Sequence, residues 1–160
     1  MTNLTQNPQE KNSGIMTEVL TNYFEMHPAK ETEDSLNDLL QDWICPDTQS
    51  ERTRMQIANQ VFFVYNISAF IRKVAEWDFK VQESGKMTER RLFILTFFDQ
   101  FGYEYPQEVF HEMLQSWILP RSNSNNDPKT VADAVSMFIQ LVKLINVCSE
   151  ILEGGMVLCA

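Results

Sequence analysis

The chain has 160 residues, of which 44% are apolar, and a formal net charge of −9. That is enough apolar material for one compact core. The acidity argues against non-specific binding to nucleic acid, which needs a basic face. Three cysteines without close spacing do not make a disulfide framework, and a reducing cytoplasmic setting is the simpler expectation.

Residues 1–13 are polar and read as a disordered leader, not a secretory signal. Six helical segments follow. The first spans 14–27, with Ile15, Val19, Leu20, Tyr23 and Phe24 at helical spacing, and Pro28 ends it. The second spans 32–44, with Leu36, Leu39, Leu40 and Trp43 on one face and Pro46 as its stop. The third is long, 50–79, and Ser84-Gly85 breaks the chain after it. The fourth starts at Thr88, a candidate N-cap, and runs to Phe101, where Gly102 suits the residue after the helix. The fifth has Pro106 in its first turn, carries the stripe Val109, Phe110, Met113, Leu114 and Trp117, and stops at Pro120. The sixth has Asp127 as N-cap and Pro128 as first residue, and ends at Gly154-Gly155. No segment sustains period-2 alternation, so the fold class is all-α, a helical bundle.

The two halves resemble one another. Residues 39–46, Leu-Leu-Gln-Asp-Trp-Ile-Cys-Pro, align with residues 113–120, Met-Leu-Gln-Ser-Trp-Ile-Leu-Pro, at an offset of 74 with five of eight residues identical. The same offset pairs Ala58 with Ala132, Val61 with Val135, Ile71 with Ile145 and Glu76 with Glu150. The expected organisation is therefore two tandem three-helix repeats, 14–83 and 84–153, packed as one globular unit with pseudo-two-fold symmetry, followed by a tail, 154–160. A three-helix unit buries little surface alone, and two copies can share a core. Residues 56–71 contain no charge and residues 134–148 contain only Lys143. This predicts that the third and sixth helices are buried on several sides and pack against each other, with Trp43 and Trp117 in equivalent pockets. The run 55–71 is too short and too polar to span a bilayer, so no transmembrane segment is expected.

No catalytic or metal-binding constellation stands out, and no cofactor is expected. Cys45 aligns with Leu119 and Cys148 with Val74, which marks them as packing positions. His111-Glu112 begins like a zinc-protease motif, but Gln115 stands where the second histidine belongs. The carboxylates of Asp34, Asp38 and Asp42 recur every fourth residue, yet no calcium-loop pattern surrounds them.

Charge is unevenly spread. From Glu18 to Glu51 nine acids face Lys30 alone, whereas from Arg52 to Arg91 eight bases face four acids. An acidic binding face is expected at Glu31, Glu33, Asp34, Asp38, Asp42 and Asp47, and a basic contact face at Arg52, Arg54, Arg72, Lys73, Arg90 and Arg91. The expected function is a small acidic non-enzymatic protein that docks on a protein partner, a regulator or inhibitor of the kind mobile elements encode. A homodimer also fits, because basic middle and acidic ends are complementary. The alternatives are a ligand-binding or catalytic bundle with a pocket between the repeats, and nucleic-acid binding through the basic segment.

Overall fold

The computed structural model describes residues 8–44, 53–81, 89–118 and 128–154. The described residues are all-helical, with six helices and no strand: α1 (Pro8–Met26), α2 (Ala29–Ile44), α3 (Arg54–Val81), α4 (Glu89–Phe101), α5 (Glu104–Ile118) and α6 (Pro128–Glu153). The candidate caps Thr88 and Asp127 lie outside the described residues, as do the side chains of Trp117 and of residues 8–15.

Local chemistry explains the boundaries. α1 begins at Pro8 rather than near residue 14, and proline is well tolerated at a first helical position. The α1–α2 corner is tight. Thr32 donates its backbone N–H to the Pro28 carbonyl and its hydroxyl to the His27 carbonyl, at 2.9 and 3.1 Å. α3 begins after Thr53, later than the sequence suggests, because Thr53 and Gln56 form a capping box. The Gln56 N–H donates to Thr53 Oγ1 at 3.2 Å, and the Thr53 N–H donates to Gln56 Oε1 at 2.8 Å. At the end of α4, Gly102 adopts φ +64° and donates its N–H to the Phe98 carbonyl at 2.8 Å. That is a left-handed cap in which a Cβ would be strained.

One apolar core takes side chains from every helix. Met16, Leu20 and Tyr23 come from α1, Leu36, Leu39 and Trp43 from α2, and Val64, Ile67, Ile71 and Val74 from α3. Ile94 and Phe97 come from α4, Phe110 and Met113 from α5, and Phe138, Leu141, Ile145 and Cys148 from α6. Each such buried side chain contributes about 1.5–3 kcal/mol relative to exposure. Tyr23 stacks on Phe70 with ring centroids 4.1 Å apart, while His27 meets Phe62 and Phe63 farther up α3, so α1 and α3 run antiparallel.

The packing corrects one expectation. α1 lies along α3 and α4 along α6, but α2 crosses to α6 and α5 crosses to α3. The long helices approach one another less than they approach these partners, so α3 and α6 are not a central pair. The shorter helices fill the space between them instead.

α6 is the one described helix long and apolar enough to cross a membrane: its stretch Lys129–Glu153 contains an 18-residue window of mean hydropathy 1.6. Its apolar stripe Ala134, Met137, Leu141, Leu144, Cys148 and Ile151 lies in the core.

Candidate functional site

The acidic residues of α2 occupy its outer side, opposite Leu36, Leu39 and Trp43. Glu31, Asp34 and Asp38 are exposed, Glu33 and Asp42 are half-buried, and Asp47 lies outside the described residues. Lys30 bridges the start of this row, 2.9 Å from Asp34 and 3.9 Å from Glu33. Its hydrogen bond to Asp34 raises the ammonium pKa. The row is therefore partly neutralised from within. No group of three or more His, Cys, Asp or Glu that could hold a metal occurs among the described residues.

The basic residues are divided among different tasks. Arg90 donates to Glu150 Oε2 at 3.1 Å and ties α4 to α6. Arg91 is only 6% exposed and belongs to the interior. Arg72 Nη2 donates to Gln107 Oε1 at 3.4 Å, linking α3 to α5. Arg54, Arg72 and Lys73 are exposed along α3, and Arg52 lies outside the described residues. Arg54, Arg72 and Lys73 thus share an element, and Arg90 and Arg91 do not join them in one open patch.

The remaining reactive groups have structural surroundings. Cys148 is fully buried, and burial pushes its thiol up to about 12, so thiolate is scarce at neutral pH. Cys45 and Cys159 lie outside the described residues. Desolvation against Tyr23, Phe62 and Phe63 lowers the His27 pKa. His111 shares a 2.9 Å hydrogen bond with Gln115 one turn on. Burial also raises the Tyr23 phenol, with Thr32 beside it.

The feature that sequence reasoning missed is the outer side of α3. The uncharged run expected to be buried on several sides is instead two-sided. Phe63, Val64, Ile67 and Phe70 enter the core, while Met55, Phe62 and Tyr65 are 75%, 58% and 72% exposed. Along this outer side Met55, Ala58, Phe62, Tyr65, Ala69, Arg72 and Glu76 recur at alternating intervals of three and four residues. That spacing draws a narrow seam down a helix. At its far end Arg72, Ala75, Glu76 and Tyr103 line an open hollow of about 440 Å³. The sequence carries this row beside the core stripe, apolar from Met55 to Ala69 and charged at Arg72 and Glu76, but does not say which of the two rows is covered.

No protein-family model, no curated protein and no solved structure matches the chain.

Proposed function

We propose that the chain is a non-enzymatic interaction module, made of two copies of one three-helix unit, that docks on a protein through the outer face of α3. The duplicated architecture is supported by burial. At the offset of 74, Leu36 and Phe110, Leu39 and Met113, Val64 and Phe138, Ile67 and Leu141, Ile71 and Ile145, and Val74 and Cys148 are buried in both members of each pair. The helix contacts support it too. Exchanging the halves maps α1 on α3 to α4 on α6, and α2 on α6 to α5 on α3. A two-fold axis relating the halves would produce that exchange.

The observation that carries the functional reading is the exposed seam. Single exposed apolar residues are ordinary on any surface. A row of Met55, Phe62 and Tyr65 at seam spacing marks an interaction surface, because it leaves aromatic area in water that a partner would cover. The acidic side of α2 is the second surface in this reading and supplies solubility and long-range steering toward a basic partner. A nucleic-acid role is less well supported, because Arg91 is buried and Arg90 is paired.

A benzophenone amino acid placed at Phe62, and separately at Ser136 on α6, tests the reading in the cells that make the protein. Irradiation is expected to give a discrete covalent protein adduct from position 62 and none from position 136. Equal labelling at both positions, or none at 62, would contradict it.

A further inference from the structure

We infer that the occupant of the α3 face is a second copy of this chain, docked antiparallel so that the two α3 helices form one seam. This rests on the reading of α3 as an interaction surface and names its partner.

Side-chain size supplies the first argument. Helices joined by three-and-four spacing cross at a shallow angle of roughly 20°, which keeps them together over the whole exposed length. In an antiparallel pair the layers combine the two alternating seam positions. With the two-fold axis level with the Phe63–Val64 peptide, Phe62 of each copy sits beside Tyr65 of the other. Ala58 then sits beside Ala69, and Met55 beside Arg72. The two large aromatics share the central layers, and the two small residues share the next. Alanine opposite alanine lets the backbones approach where no aromatic holds them apart.

The hollow supplies the second. Met55 is the most exposed large apolar side chain in the described surface. The antiparallel register delivers it to Arg72, one wall of the hollow whose floor includes the buried Ala75. The thioether fits against the aliphatic stem of Arg72 and reaches into that space, where methionine adapts well to an irregular site. The hollow and the exposed methionine are then explained together, twice, by one symmetry operation.

Sedimentation equilibrium of the purified full chain tests this. The expected mass is twice the 18.6 kDa of one chain. Phe62→Asp and Tyr65→Asp each act twice per dimer and are expected to raise the dissociation constant by at least about tenfold. Ser136→Asp, at the matching exposed site of α6, is expected to change it little. All these positions are exposed, and unchanged helical circular dichroism checks that each variant folds. A single-chain mass up to roughly 100 μM would overturn the inference, because weak homodimers still assemble in that range. So would a dimer indifferent to Phe62→Asp and Tyr65→Asp. An adduct of a different protein at position 62 in cells, with a single-chain mass in isolation, would leave the interaction reading standing and remove the second copy as its occupant.

Discussion

The outer faces of α3 and α6 have the same spacing and, apart from the half-buried Ala69, the same exposure, but different chemistry. On α3 the outward row is Met55, Ala58, Phe62, Tyr65, Ala69, Arg72 and Glu76. At the offset of 74, α6 presents Lys129, Ala132, Ser136, Ile139, Lys143, Asn146 and Glu150, all exposed. Lysine stands in place of Met55, serine of Phe62 and lysine of Ala69, while Ile139, 53% exposed, stands in place of Tyr65. The inward rows differ far less, with Ile67 against Leu141 and Ile71 against Ile145, all buried. Packing constrains the inner side of both helices alike. The outer side is under no such constraint, and an aromatic row present on only one of two helices related by the proposed duplication is what supports the proposed partner.

The comparison implies that the halves share one core, and the largest expected effect tests that. Phe138→Ala removes a fully enclosed ring that meets Phe110 edge-on at 5.7 Å. A loss of about 3–5 kcal/mol is expected in chemical denaturation, in a single transition that melts both halves. Two separate transitions would break the comparison.

The corners at the ends of α1 and α4 offer a second contrast. Gly102→Ala places a Cβ at φ +64° and is expected to cost about 1–2 kcal/mol. The corresponding corner after α1 uses His27 instead, and this makes it sensitive to pH. Burial lowers the His27 pKa from 6.5, so the unfolded chain binds the proton more tightly than the folded one. Stability should therefore fall as pH drops through the ordinary imidazole range, with no further loss from this residue once both states are protonated. His27→Gln should flatten that part of the profile of denaturant midpoint against pH. A slope unchanged by the substitution would assign the pH dependence to other groups.

Thr53→Ala removes the hydroxyl of the α3 capping box and is expected to cost about 1 kcal/mol in the same denaturation assay. The smallest effect belongs to Glu150→Gln. Its ion pair with Arg90 is about half exposed on both sides, so a change below roughly 1 kcal/mol is expected, shrinking further with added salt.

Much of the fold was legible in the sequence. Proline and glycine mark nearly every helix end, and the periodic stripes of α2 and α5 identify Leu36, Leu39, Phe110 and Met113 as core. Two features were not legible, for different reasons. An uncharged helix can be buried all round or buried on one side with a partner on the other. Residues 55–71 mix Gln, Asn, Ser and Tyr with apolar residues so evenly that composition does not choose. The exchange of α2 and α5 between the halves depends on how the long helices are spaced, which local periodicity does not encode. The candidate basic face illustrates the same limit. Adjacent Arg90 and Arg91 look equivalent in the chain, yet one is at the surface and the other is buried.

The most direct test of the account uses cysteine pairing across the seam. Chains carrying Phe62→Cys and Tyr65→Cys, each in a background with Cys45 and Cys159 replaced by serine, are mixed and oxidised gently. A disulfide requires Cα atoms about 4.4–6.8 Å apart, and in the mixed dimer one of the two Phe62–Tyr65 layers loses both rings and is free to close. The account predicts that the mixture forms linked dimers faster than either variant alone, and faster than either variant mixed with Ser136→Cys. Linkage at equal rates in every mixture, or no linkage between positions 62 and 65, would contradict it.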